Sequence, residues 1–421
     1  MEPALAAGIF LLTYALIATD RLDRTAVALA GGLAMVAFGV IDQAEAFAAI
    51  DLNVIFLLAG MMILAGILRR TGFFQWIAIR VIRLSGGEPV RLLVMLSIVT
   101  AVLSAFLDNV TTVVLVAPVT LYVASVLSLS AIPFLVAQIL ASNIGGSATL
   151  IGDPPNILIG SASGLDFNAF LFNMAPVSIL ILVVFLVIAP VLFRSQLRGS
   201  GSGADVLLAL DEAAVITDPA LLRRALIVLG FTVLGFVLQG PLGLETATIA
   251  LLGATVLLLV TRVDPEPAFR EVDWPTLFFF VGLFMLVEGL VATGIVRAVG
   301  ESLVEMTGGE PVPTTLGLLW LSGIASGFID NIPYTVTMIP VVEQLGQSGV
   351  AIEPLWWSLA LGACLGGNAT IVGASANVVA ANLSARAGQP IGFVAFLRMG
   401  LIVTFLSLLI STVYVWVRYL L

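Results

Sequence analysis

The sequence predicts an all-α membrane protein built from two inverted repeats, and three observations carry that prediction. Of 421 residues, 60% are apolar and only 10% charged, against roughly 25% charged for a soluble domain. Apolar runs recur at helix-spanning length without the alternation of a barrel strand. The second half of the chain repeats the first at a shift of about 222 residues.

Composition removes several function classes. The seventeen basic residues are all Arg, with no Lys and no His, so imidazole is excluded as proton shuttle, ligand or base. Cys364 is the one cysteine, too few for a disulfide, a zinc site or a CxxC redox pair. A net charge of -9 without a basic cluster argues against nucleic acid as a partner. No metal site and no resident cofactor are expected.

Plain spans are expected near 3–19, 25–41, 52–68, 174–194, 225–240, 246–261, 275–291 and 396–417. The first is read as a crossing and not as a cleaved leader, because Met1, Glu2 and Pro3 carry no basic residue. Regions 91–127 and 313–346 are each apolar for two short helices with an Asp-Asn pair at the middle, and are expected to be hairpins. Regions 132–162 and 354–383 are apolar runs broken by Gly, Asn, Thr and Pro, and are expected to be interrupted spans. Stretches 72–84 and 294–305 are amphipathic and should lie along the interface.

The repeat rests on polar, Gly and Pro matches rather than on shared greasiness. GGEPV at 86–90 recurs at 308–312, and SAFLDNVTTVVLVAP at 104–118 recurs as SGFIDNIPYTVTMIP at 326–340. Shifted by 221, GGSATLIGDPPN at 145–156 recurs as GGNATIVGASAN at 366–377. The first repeat covers 1–198, a Gly-Ser-containing linker 199–222, and the second repeat 223–421; the linker is expected to be passive. Each repeat then holds five crossings and one hairpin. Five is odd, so the second copy must insert upside down, giving ten crossings plus two re-entrant hairpins. With both termini outside, fifteen Arg fall on the cytoplasmic face and only Arg297 and Arg418 outside, as the positive-inside rule requires.

An ionisable group inside a membrane costs about 2.5–3.5 kcal/mol and marks a functional candidate. Asp108 and Asp330 sit at the hairpin tips, Asp153 in the first broken span and Glu288 within a plain span; helix capping is the alternative reading of the tip acids. Unwound backbone at membrane depth is tolerated where it lines protein or a wet cavity, and Gly145-Gly146 and Gly366-Gly367 are expected to permit it. Asn143, Ser147, Thr149, Asn156, Asn368, Thr370 and Asn377 supply neutral donors and acceptors around these breaks. Asn109, Thr111, Thr112 and Asn331 would complete the shell from the tips.

LDNVTT followed by SNIGGSATLIGDPPN, with the degenerate copy IDNIPYT and GGNATIVGASAN, resembles the ion transporter superfamily, in the branch of bacterial arsenite efflux permeases (ArsB) and the melanosomal P protein, related to citrate and divalent anion:sodium symporters. The resemblance covers essentially the whole chain. It implies a scaffold of plain spans and a transport domain of hairpins and broken spans moving as an elevator, a homodimer, a bacterial inner (plasma) membrane location, and association with an ATPase subunit as in arsenite pumps. Dicarboxylate relatives carry Ser-Asn-Thr at both tips; the Asp-Asn pairs here depart from that pattern and point away from a Na+-coupled dicarboxylate.

No Arg, Lys or His is expected in the site while three Asp are, so a divalent anion would meet like charge. The expected function is a secondary active transporter, not an enzyme, that exports arsenite or antimonite in exchange for H+. Asp108, Asp153 and Asp330 would couple protons, a buried acid in an apolar site being able to hold one near neutral pH. With Cys364 the only thiol, arsenite would be held through oxygen contacts. Na+/H+ exchange and citrate or dicarboxylate transport are the alternatives.

Overall fold

The computed structural model describes residues 2–19, 21–194, 196–197 and 215–421. Among these, every regular element is helical. The first half runs through α1 (Glu2–Thr19), α2 (Arg24–Ala37), α3 (Gln43–Ala48), α4 (Leu52–Arg70), α5 (Phe73–Ser85), α6 (Pro89–Phe106) and α7 (Asn109–Val126). It continues with α8 (Ile132–Gly146), α9 (Pro154–Ser163), α10 (Phe167–Asn173) and α11 (Ala175–Leu192). The second half holds α12 (Pro219–Val237), α13 (Gln239–Leu242), α14 (Thr246–Thr261), α15 (Pro265–Phe269), α16 (Trp274–Ala292) and α17 (Ile295–Thr307). It closes with α18 (Pro311–Phe328), α19 (Asn331–Gln347), α20 (Ile352–Gly366), α21 (Ser375–Arg386) and α22 (Phe393–Val415).

The repeat governs the element boundaries. Leu52–Arg70, Phe73–Ser85 and Pro89–Phe106 have Trp274–Ala292, Ile295–Thr307 and Pro311–Phe328 as counterparts, each offset by 222 residues at both ends. Among the described residues, eight helices, both arms of the first hairpin included, are long and apolar enough to cross a membrane. The amphipathic helices α5 and α17 start at glycines in the left-handed region, Gly72 (φ 81) and Gly294 (φ 75). A side chain there would be strained.

Acidic residues punctuate the helices. Asp23, Asp42, Asp51, Asp108, Asp166, Asp218, Asp264, Asp273 and Asp330 each accept a backbone N–H of the helix they precede. Capping satisfies donors that the first turn leaves orphaned. Asp153 also precedes a helix, α9, yet makes no such bond.

Packing separates two bodies. One joins α2 to α16, α4 to α14 and α12 to α14; the other joins α6 to α8 and α18 to α20. Thus the hairpin arms pack on the first halves of the broken helices, joined there by the plain spans α11 and α22, while α1, α2, α4, α12, α14 and α16 pack among themselves. Within the regions expected to be interrupted spans, α8 and α9 flank a loop at 147–153, and α20 and α21 flank 367–374, which holds a short 3-10 turn, Ile371–Gly373.

The glycines at the breaks differ from expectation. Gly145, Gly146 and Gly366 are still helical, and none of the four glycines has a positive φ. Their role is contact. A Cβ on Gly145 would lie 2.1 Å from the Ala101 carbonyl oxygen, and one on Gly366 2.4 Å from that of Gly323. Each pair marks where a hairpin arm crosses a broken helix backbone to backbone. Of the linker expected at 199–222, positions 199–214 lie outside the described residues; Thr217 then donates from its backbone to Thr71 O at 3.1 Å and from its hydroxyl to Arg70 O at 2.8 Å.

Candidate functional site

The two hairpin tips and the two breaks converge on one buried polar cluster. Asn109 Nδ2, in the first turn of α7, donates to Asn143 Oδ1 at 3.2 Å and to Asp153 Oδ1 at 3.1 Å. From the other repeat, Asn331 Nδ2 donates to the same Asp153 oxygen at 3.3 Å. Asn143 Nδ2 donates to Asn368 Oδ1 at 2.9 Å and Asn377 Oδ1 at 3.0 Å. All of these residues are buried.

The cluster is not fully satisfied. Asp153 is 0% exposed, and its Oδ2 has no protein partner; neither has Asn109 Oδ1. Buried polar atoms in folded proteins are overwhelmingly hydrogen-bonded, so two orphaned oxygens in one cluster mark a place that a proton or a ligand completes. A proton on Asp153 Oδ2 would itself be a donor.

Symmetry-related Asn residues also hold the breaks in shape. Asn156 Nδ2 donates to Ser147 O at 3.2 Å and Thr149 O at 2.8 Å; Asn377 Nδ2 donates to Gly367 O at 2.7 Å and Thr370 O at 2.8 Å. Thr149 and Thr370 fasten each loop to the hairpin arm behind it, through Ala105 O at 2.5 Å and Gly327 O at 2.6 Å. Ser147 bonds Ile144 O and the Ser178 hydroxyl. Thr112 is buried with an unpartnered hydroxyl. Several hydroxyls expected to face cargo are therefore spent on fastening.

The tip acids stand outside the cluster, each beside its own cavity. Asp108 Oδ1 caps α7 at Thr111 N, 2.7 Å, and lines a cavity of about 170 Å³ with Thr111, Arg69, Glu271, Asp273 and Pro154. Asp330 Oδ1 caps α19 at Ile332 N, 3.1 Å, and lines a cavity of about 310 Å³ with Tyr14, Asp23, Arg24 and Asn382. Ser375 borders both. Capping, the alternative reading of the tip acids, is what these two carboxylates do.

Here the charge expectation is corrected. Arg24 Nη1 donates to Ser375 Oγ at 2.7 Å and lies 3.4 Å from Asp330 Oδ2, its guanidinium 5.5 Å from the Phe279 ring centre. Arg69 pairs with Glu271 at the other cavity. Sequence reasoning placed no cation in the site because Arg24 is 306 residues from Asp330. It also passed over Ser375, Glu271 and Cys364. Glu288, on α16, borders neither cavity.

Acids outnumber bases at both cavities. Asp108, Asp273 and Glu271 face Arg69 in the smaller cavity, and Asp23 and Asp330 face Arg24 in the larger. Both keep an acidic excess, which favours a neutral or cationic visitor over a bare polyanion.

The profile of the citrate transporter family (CitMHS) matches residues 14–362. The chain belongs to the citrate transporter family. It is 44% identical over 423 residues to an uncharacterized transporter of Mycobacterium tuberculosis, covering 98% of each chain. It is 42% identical over 425 residues to a 46 kDa membrane protein of Mycobacterium leprae, covering 99% of each. The human P protein is 34% identical over 503 residues, a match that takes in 99% of this chain and 60% of that protein. Among solved structures, the YdaH transporter of Alcanivorax borkumensis, described as having an unusual topology, superposes with a TM-score of 0.63 at 16% identity, covering 99% of this chain and 98% of that one. This citrate transporter family member is thus a multi-pass membrane protein and a secondary transporter, not an enzyme.

Proposed function

We propose that the protein exchanges a small solute for protons, with Asp153 as the proton carrier. One observation carries the proposal: a single buried carboxylate receives a donor from both hairpin tips and keeps one oxygen unpartnered. Protonation supplies that oxygen with a donor. Deprotonation leaves a charge that only a cation or a strongly hydrogen-bonding solute can compensate. Proton and cargo then compete for the same place, which is the logic of antiport.

The supporting frame is ten crossings with two re-entrant hairpins entering from opposite faces of a bacterial plasma membrane, both termini outside. The packing of α1, α2, α4, α12, α14 and α16 among themselves, apart from the hairpins and broken helices with α11 and α22, supports movement of the second body against the first as an elevator.

For the cargo, the acidic excess of the cavities supports a small neutral hydroxylated solute or a cation. Arsenous and antimonous acid are the representatives of the first kind, and Na+ of the second. Citrate is a second reading, favoured by the family's name and by Arg24. Proton flux into proteoliposomes carrying an internal pH dye, challenged separately with arsenite, antimonite, Na+, Li+, citrate and succinate, tests these readings. Saturable flux with the metalloids alone supports the first, flux with Na+ or Li+ the exchanger, and flux with carboxylates overturns the electrostatic argument. Wild-type flux from Asp153→Asn overturns the assignment of the proton carrier.

A further inference from the structure

Beside the smaller cavity, Gly66 of α4 faces Glu271 in the turn before α16, and both line that cavity. A Cβ on Gly66 would lie 2.4 Å from the Glu271 Cβ, so the Glu271 side chain occupies the space in front of Gly66. At the offset of 222 residues Gly66 becomes Glu288, and Glu271 becomes Ala49. The contact itself is kept, since α3 packs on α16 as α15 packs on α4. Each half therefore places one acidic side chain at this contact, supplied from opposite sides of it. Such an exchange keeps an acid in the place while changing the residue that carries it.

The two acids differ in their neighbours. Glu271 pairs with Arg69 and Arg70, whose counterparts are Val291 and Ala292, so neither of those positions offers Glu288 a cation. Phe280 and Phe284 stand where Leu58 and Met62 line the smaller cavity, and α16 packs against α19. That cavity borders Glu271, Asp108 and Pro154, the last adjoining Asp153 with its unpartnered Oδ2. The counterpart route borders Glu288, Asp330 and Ser375.

We propose that Glu288 is the acid at a second mouth of the transport path. When the hairpins and broken helices move toward the opposite face of the membrane, a cavity opens between α16 and α19, and Glu288 lines it as Glu271 lines the present one. Without arginine at the two flanking positions this mouth attracts a proton or a small cation, whereas the first holds its acid in ion pairs. The proposal rests on the reading of the chain as an antiporter of two inverted repeats.

Thiol labelling tests it without knowledge of the cargo. In a Cys364→Ala background, Glu288→Cys reports on the second mouth and Val114→Cys, which lines the smaller cavity, on the first. Each is reacted with a charged maleimide in proteoliposomes, with Cys364→Ala alone as the blank. Arg24→Glu sets like charge against Asp330 and shifts the population away from the present conformation. Labelling at position 288 then rises while labelling at 114 falls. An unchanged rate at 288 overturns the proposal, because a residue merely exposed on α16 does not respond. The exchange supplies a second reading. Glu288→Gly lowers proton flux driven by Na+, arsenite or citrate, and adding Ala49→Glu, which rebuilds the arrangement of Gly66 and Glu271, recovers it. Wild-type flux from Glu288→Gly, or a folded double variant with no recovery, overturns the proposal. Proton transport by Asp153→Asn overturns the carrier reading, while labelling at 288 still decides the second mouth.

Discussion

Arg24, in the first turn of α2, places its Nη1 3.4 Å from Oδ2 of Asp330 at the tip of the second hairpin. The same nitrogen donates to Ser375 at 2.7 Å, at the start of α21. Tyr14 of α1 adds a bond to Pro333 O at 2.7 Å. The plain spans therefore grip the second tip through α1 and α2, whereas no such pair joins Asp108 at the first tip to a cation among the described residues. If the hairpins move against the spans, these contacts must break in every cycle.

Arg24→Glu sets like charges against each other and should lower transport by roughly tenfold, corresponding to about 1.4 kcal/mol. Combining it with Asp330→Arg restores the attraction and should recover part of the flux. A double variant no better than the worse single variant would show that the pair carries no coupling.

Asp153→Asn preserves shape while removing the carboxylate. Its proton-coupled flux should fall at least about a hundredfold, a barrier change of about 2.7 kcal/mol, with a thermal unfolding midpoint close to that of the wild type. A folded variant that still moves protons removes Asp153 from the mechanism.

Asp108 answers differently, because it caps α7. Asn caps as well as Asp, so Asp108→Asn should unfold at the wild-type temperature, while Asp108→Ala loses about 1 kcal/mol. The sequence reading expects Asp108→Asn to abolish coupling; from its place beside the smaller cavity, outside the cluster, the expected loss of flux is smaller than for Asp153→Asn. Equal losses would return Asp108 to the proton path.

Gly145→Ala should destabilise the protein by about 1–3 kcal/mol, since its Cβ would lie 2.1 Å from Ala101 O and backbone must shift. Gly8→Ala, with nothing within 4 Å, is the control. Thermal unfolding in detergent reads both. Indifference at Gly145 would mean that α6 and α8 have room to part.

The hairpins, the breaks and the repeat were legible because polar, Gly and Pro residues keep their spacing where apolar ones drift. Element boundaries at an offset of 222 follow from the same matches. Asp108 and Asp330 were found by charge, and capping stood beside cargo contact as their reading; which of the two they make depends on backbone geometry that charge alone does not show. Arg24 was out of reach since its partner lies in the other half, and nothing local to position 24 distinguishes it from an interfacial arginine. Cys364 was set aside as a solitary thiol.

The amide bonds between the breaks bear on how the molecule was able to diverge after its duplication. Asn143 reaches Asn377, and Cys364 reaches Asn156, so each half is buttoned to the other as well as to itself. Neither copy could drift freely, because a change in one is felt as a lost partner in its twin. The block of hairpins and broken helices is for the same reason a single stitched piece drawn from both halves of the chain, and halves expressed as separate polypeptides would have to find each other before either could hold its shape.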